Sequence, residues 1–323
     1  MQRRVKDTIL RMNAWGKSGR PFFFMFSYSM DDAVALPVEE LEEEGILLAT
    51  PAYRNCSGPV PAGTFYFRKK PVEYTRYQAA FDHVMKAINR GDTFLLNLTF
   101  PTLLETDLSL GRIFSSANAR FRLKFKDDFT VFSPEPFIVI SDNTIASFPM
   151  KGTRDAAIEN AEEKLLKDIK EVSEHNTIVD LIRNDLSMVA KKVRVEKFRY
   201  VERIRTHERE LLQTSSKITG ELPADWKERV GDLFMKLLPA GSISGAPKQK
   251  TREVIAEAEG YDRGWFTGVF GLFDGSNLES AVMIRFIENN GGQLVFKSGG
   301  GITHFSDCRQ EYDELVEKVY LPF

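Results

Sequence analysis

The stretch FPMKGTRD, residues 148–155, sets an amine among apolar neighbours: Lys151 follows Phe148, Pro149 and Met150, and Gly152 and Thr153 come directly after it. An ammonium held there can neutralise an anion. A desolvated amine is also a better nucleophile, because burial disfavours the charged form and frees the lone pair. Glu135, in FSPEPF on the strand before it, is a lone carboxyl in an apolar setting. Such a group has a raised pKa and suits a general acid, although an exposed turn glutamate between two prolines is the plainer account. Two helical segments carry acid pairs three residues apart: Glu171 and Glu174 in LKDIKEVSEH, followed by His175, and Glu311 and Glu314 in QEYDELVEKVY, with Lys318 on the same side. Like charges at that spacing mildly destabilise a helix. Either these are wet helix faces, or both faces converge on Mg²⁺, a hard cation that takes oxygen ligands and is commonly shared with an anionic substrate.

Arg285 interrupts AVMIRFI, read as one strand apolar on both sides, where an unpaired guanidinium is costly. It needs a carboxylate, from a core acid or from a substrate. KSGGGIT (297–303) and GSISGAPK (241–248) carry glycines that would let backbone N–H groups approach an anion. Neither fits GxxxxGK[ST] or GxGxxG, so a nucleotide phosphate is not indicated, and as lone features both read as turns.

The elements that must position these groups follow from periodicity. DFTVFSPEPFIVI and TIAS read as strand, short turn, strand, which puts Lys151 at a strand end in a tight turn. Tyr77, Phe81, Val84 and Ile88 recur at helical spacing, with Gly91 as the stop. Residues 155–190 read as a long helical region, 192–220 as strand with a loop, and 225–238 as helix. GSISGAPK leads into a helix, three strands follow, and a last helix begins near Ser306. The first 75 residues read as strand-like, with VEELEEEG as a solvated loop or short helix. Strand groups alternate with long helices without regular βαβ spacing, so the class is α+β.

At 323 residues, 42% hydrophobic and 28% charged, the chain can bury a large core. A net charge of −2 gives no reason to expect nucleic acid or an anionic membrane as partner. Cys56 and Cys308 are the only cysteines and form no CxxC pair, which points to a reducing, cytoplasmic setting. The run PFFFMF is too short for a signal h-region, and no apolar stretch approaches membrane-spanning length.

Read together and in order, SPE (133–135), PMKGTR (149–154), KEVSEHNTIVDLIRNDLS (170–187), GSISGAPK (241–248), IRF (284–286), GGGIT (299–303) and EYDELVEK (311–318) resemble the motifs of the chorismate-utilising enzymes. The resemblance covers roughly residues 75–323 as a chorismate-binding catalytic domain, with residues 1–75 as a shortened N-terminal part packed on the same core. It implies two packed, largely antiparallel β-sheets flanked by helices. It implies Mg²⁺ on Glu171, Glu174, Glu311 and Glu314, a substrate carboxylate on Arg285, and a substrate lining from Gly152, Thr153, Gly300 and Lys318. Glu135 takes the role of acid for the ring C4 hydroxyl. Lysine rather than alanine at position 151 resembles the aminodeoxychorismate synthases of the folate pathway, in which the amine attacks C2 and ammonia then adds at C4. Anthranilate or isochorismate formation is the alternative. Gln213 stands where many members have histidine, and Phe266 where many have tyrosine, so a hydroxyl is lost beside the substrate. Neither cysteine sits in a GxCxG-type elbow, so ammonia is expected from a separate glutamine amidotransferase subunit.

Overall fold

The computed structural model describes residues 3–205 and 210–323, with the backbone path alone for Thr153, Lys170, Ile204, Arg205, Leu211 and Ala246. The first element corrects the reading of the N-terminal region as strand-like. Arg3–Ser18 is a helix, α1, burying Val5, Thr8, Ile9, Met12 and Gly16 on one side. That spacing is helical; it is masked by the lysines and arginines of the opposite face. Next come β1 (Phe22–Phe26) and β2 (Ala33–Pro37), a 3₁₀ turn at Val38–Glu40 within VEELEEEG, then β3 (Ile46–Ala49) and β4 (Phe67–Lys70). β1 is buried along its whole length because both faces are covered. Phe22, Phe24 and Phe26 pack with α1, while Phe23 and Met25 point to the other sheet.

Helix α2 (Tyr74–Asn89) forms as its spacing predicts, buries Tyr77, Phe81, Val84 and Ile88, and ends ahead of Gly91 at φ +80°. β5 (Leu95–Thr106), α3 (Leu110–Ser116), β6 (Phe121–Phe125), β7 (Phe129–Ser133), β8 (Pro136–Ser141), β9 (Thr144–Ser147) and β10 (Met150–Asp155) follow. The long helical region is two helices, α4 (Ala161–Lys167) and α5 (Ile169–Ser187). Asp168 breaks them: its backbone is extended and its carboxylate accepts from Glu171 N at 3.2 Å, capping α5. Then come β11 (Lys191–Arg205), β12 (Glu210–Glu221), a 3₁₀ turn at Trp226–Arg229, α6 (Val230–Leu237), the four-residue α7 (Gly241–Ser244), the short β13 (Gly245–Ala246) and α8 (Lys248–Glu259). The chain closes with β14 (Val269–Phe273), β15 (Leu278–Val282), β16 (Phe286–Asn290), β17 (Gln293–Ile302) and α9 (Cys308–Glu317).

These strands make two sheets, antiparallel throughout the described pairings. One runs β10-β12-β9-β8-β15-β14-β1-β2, with β11 beside β12; the other runs β13-β5-β17-β16-β7-β6-β3, with β4 beside β5. Their shared core holds Phe23, Met25, Phe270 and Leu272 against Phe121, Leu123, Phe129 and Phe286. Helices α1, α5 and α6 cover the outer face of the first sheet, and α2, α8 and α9 that of the second. The α+β class with two packed antiparallel sheets is therefore the architecture observed.

Two neighbouring strands change sheets at the same level. β7 pairs β16 in one sheet, and their continuations β8 and β15 pair in the other. The breaks fall at Pro134–Glu135 and at Met283–Arg285, and the two connections are laced together by Val282 N to Glu135 O (3.2 Å) and Phe132 N to Arg285 O (3.2 Å). Two sequence readings are corrected here. DFTVFSPEPFIVI is two strands rather than one, and Arg285 lies between strands, at φ +53°, rather than inside a buried one. AVMIRFI reads as continuous because each half is buried in a different sheet.

Candidate active site

Where the sheets part at these crossovers they leave a cleft of about 840 Å³. Glu135 and Arg285 reach it from the two connections, Lys151, Gly152 and Gln213 from β10 and β12, Glu171 and Glu174 from the start of α5, and Glu314 and Lys318 from the end of α9. Phe266 lies on its wall, 2% exposed, with its ring 5.8 Å from that of Phe286. Gly300 and Glu311 are not part of the lining; a Cβ at Gly300 would meet Glu311 Oε2 at 3.4 Å. The side chain of Thr153 lies outside the described residues; its backbone pairs with Gln213.

Lys151 does not sit in a turn after a strand. It is the second residue of β10, registered opposite Thr214, whose hydroxyl donates to the Lys151 carbonyl. The strand bulges directly after it, and Gly152 takes φ +78°, a conformation costly for a residue with a Cβ. That bulge turns the lysine into the cleft, where Nζ stands 3.4 Å from Glu174 Oε2. The expectation of a depressed lysine pKa is overturned. Burial alone would push it down, but the carboxylates of Glu174, Glu314, Glu171 and Glu135 outweigh burial and hold the ammonium above its ordinary range. Glu135 behaves as its setting predicts: burial raises its pKa, against the Ser242 hydroxyl and the Lys151, Arg285 and Lys318 cations, which pull it down.

One carboxylate of each acid pair is buried, Glu174 at 5% and Glu311 at 1% exposure, whereas Glu171 is half-buried and Glu314 is exposed, holding Lys318 at 2.5 Å. Of the glycines of β17, Gly301 is the one whose missing side chain leaves room for the Lys151–Glu174 pair, while Gly300 lies in ordinary contact distance of the α9 carboxylates. A Cβ at Gly301 would stand 2.9 Å from Lys151 Nζ and 3.3 Å from Glu174 Oε2. A Cβ at Gly300 would stand 3.4 Å from Glu311 Oε2 and 3.6 Å from Glu314 Oε1. His175, next to Glu174, turns away into the core: it is fully buried, with Nε2 2.6 Å from Ser216 Oγ, and burial draws its pKa down to about 4.

Among the described residues no three carboxylates, histidines or cysteines form a closed metal cage. An oxygen-only donor set over a glycine cradle nevertheless fits a cation such as Mg²⁺, which takes one or two protein carboxylates and completes its shell with water and substrate. Arg285 has no carboxylate partner among the described residues. Its guanidinium lies 5.3 Å from the Tyr320 ring centroid, and Nε donates to the Tyr320 hydroxyl at 3.2 Å. Tyr320 and Ser242 also line the cleft and were not singled out in the sequence. Ser242 lay inside a motif already noted; nothing in the sequence marked Tyr320.

An amine, a carboxyl primed to donate a proton and a guanidinium with no ion-pair partner among the described residues, gathered in one cleft between two antiparallel sheets, suit a small anionic molecule. The chain matches the chorismate binding enzyme family over residues 16–322 and belongs to it, so it is an enzyme acting on chorismate. It is 46% identical over 324 residues to a Haemophilus influenzae protein named "Uncharacterized PabA-like protein", covering 99% of this chain and 98% of that one. It is 30% identical over 277 residues to aminodeoxychorismate synthase component 1 of Bacillus subtilis, covering 81% of this chain and 57% of that protein. With anthranilate synthase component 1 of Mycolicibacterium smegmatis it shares 36% identity over 202 residues, 59% of this chain and 37% of that protein. Its fold matches MenF, the menaquinone-specific isochorismate synthase of Escherichia coli, with a TM-score of 0.73 at 17% identity, covering 97% of this chain and 80% of that one. Among the described residues no helix is long and apolar enough to cross a membrane.

Proposed function

We propose that this enzyme aminates chorismate at C4 to give 4-amino-4-deoxychorismate, with Lys151 as a covalent nucleophile and Glu135 as the acid. The observation that carries the reading is the meeting of Lys151 Nζ and the Glu135 carboxyl in one cleft, the amine turned inward by the bulge at Gly152. Because neighbouring carboxylates hold Lys151 as an ammonium, it must first give up a proton, and Glu174 is in ion-pair contact to take it. The amine then bonds to C2, the ring double bonds shift toward C4, and the C4–O bond breaks as Glu135 protonates the departing hydroxyl to water. Ammonia bonds to C4, the double bonds shift back, the C2–N bond breaks, the new C4 ammonium returns a proton to Glu135, and Glu174 returns its proton to the released Lys151 amine. Chorismate and ammonia are consumed, and the amino product and water are formed.

Glu171, Glu174, Glu311 and Glu314 would hold Mg²⁺, which when bound supplies a site for the ring carboxylate and cancels charge that otherwise keeps Lys151 protonated. Arg285 is the cation left for a substrate carboxylate, Lys318 lines the pocket while paired with Glu314, and Gln213, Phe266, Gly152 and Gly300 shape it. Ammonia comes from a glutamine amidotransferase partner. In support, burial pushes both Cys56 and Cys308 up, the opposite of an activated thiolate.

One observation favours a second reading, in which Lys151 stays a resident cation and the product is of anthranilate or isochorismate type: its raised pKa. Turnover of chorismate with an ammonium salt and Mg²⁺, with products identified by mass, separates the two. The expected result is the 4-amino product, together with a mass shift on the Lys151 peptide when ammonia is withheld. Anthranilate or isochorismate without any adduct would overturn the reading.

A further inference from the structure

A second, small cavity of about 20 Å³ adjoins Glu135; Ser147, Asp185, Gly241 and Ser242 are among its lining. One water needs roughly 10–15 Å³ and two to four polar partners. Glu135, Asp185, Ser147 and Ser242 are the lining residues with side-chain oxygens, and the Ser147 hydroxyl spends its proton on Phe137 O at 2.9 Å, so it can only accept from a water. Asp185 is 9% exposed, on the far half of α5 from the acid pair, and its Oδ2 lies 2.8 Å from Lys248 Nζ. Lys248 also donates to Leu237 O at 2.8 Å, so the ion pair fastens α8 to α5 and α6. Gly241 permits the approach: a Cβ there would stand 3.2 Å from Asp185 Oδ2 and 2.7 Å from Leu181 Cδ2.

We propose that one water in this cavity joins Asp185 to Glu135, making Asp185 a positioning residue that keeps the acid protonated at the start of each turnover. The inference rests on Glu135 as the acid of the proposed reaction. The charged groups that bear on Glu135 are Lys151 from β10, Arg285 from the crossover and Lys318 from α9, with the Ser242 hydroxyl from α7. All three charges are cations, and each favours the ionised carboxylate. Asp185, which itself faces only Lys248 of α8, is the one other carboxylate on the small cavity. A negative charge one water away opposes the cations and favours the acid form.

The test is the pH profile of kcat with chorismate, Mg²⁺ and constant free ammonia. Asp185→Asn should move the alkaline limb to lower pH by about half a unit or more and lower kcat at neutral pH about threefold or more, with KM for chorismate unchanged. Should that variant leave Lys248 unpaired and fail to fold, Asp185→Asn with Lys248→Met removes both charges and should move the limb the same way by a smaller amount, because a cation leaves with the nearer anion. A limb that stays in place in either folded variant, with wild-type turnover intact and Glu135→Gln inactive, overturns this inference alone. An active Glu135→Gln variant, or a wild-type enzyme that yields no amino product, overturns the proposed reaction and this inference with it.

Discussion

Replacing Gly301 by alanine should disable the enzyme while leaving it folded. The new Cβ would stand 2.9 Å from Lys151 Nζ, 3.3 Å from Glu174 Oε2 and 3.3 Å from Cδ1 of the buried Leu95, all three ends of side chains rather than backbone. Ordinary contact needs about 3.5 Å or more, so the amine must shift by roughly 0.5–1 Å. A misplacement of that size at a reacting group costs about 100-fold in rate, or about 2.7 kcal/mol of barrier. No backbone atom obstructs this Cβ, so stability should fall by less than about 1 kcal/mol. The two preceding glycines are internal controls. A Cβ at Gly300 makes only ordinary contacts at 3.4–3.7 Å, so Gly300→Ala should be mild. A Cβ at Gly299 would lie 2.3 Å from Leu98 O, a backbone atom, so Gly299→Ala should damage folding itself. The assay is kcat for amino product with ammonium and Mg²⁺, alongside urea unfolding of all three variants. Gly301→Ala with near wild-type kcat, or with a rate loss that merely tracks lost stability, would refute the placement of the amine as the reacting group.

Lys151→Ala should lose C4 amination by about 1000-fold or more while chorismate still binds, measured by turnover and by ligand titration, because Arg285 remains to bind the anion. Activity should vanish in excess chelator and in Glu314→Gln, and return in the wild type with Mg²⁺ or with Mn²⁺, whose oxygen preference is similar. Arg263→Met should destabilise the fold by about 3–5 kcal/mol in urea titrations, because it leaves Glu259 charged in a site where both partners are 1% exposed. His175 ionises near its ordinary 6.5 when unfolded and at about 4 when folded, so its neutral form favours the native state. In chelator, stability should be full above about pH 6.5 and fall by about 2.5 kcal/mol on going to pH 4.5, a loss that His175→Gln should largely remove.

Much of this site is legible in the chain, because its parts are local. The Tyr77–Ile88 stripe defines α2 whatever it packs against, and the i, i+3 spacing of Glu171 with Glu174 and of Glu311 with Glu314 puts each pair on one helical face. The ordered motifs around Lys151, Glu135 and Arg285 suffice for the family. What tertiary structure alone decided depends on groups far apart in sequence. Glu135 and Arg285 were read as strand residues, because a strand that passes from one sheet into another stays apolar on both sides of the break. The glycines of β17 read as a turn; the purpose of Gly301 shows only when α5 and β10 bring Glu174 and Lys151 over the place where its Cβ would be. The charge of Lys151 was misjudged for the same reason. Its immediate neighbours, Phe148 and Met150, argue for a low pKa, but the four carboxylates that raise it come from two distant helices and a crossover. Burial can be guessed from adjacent residues, whereas a Coulomb interaction depends on separation in space, which the fold sets.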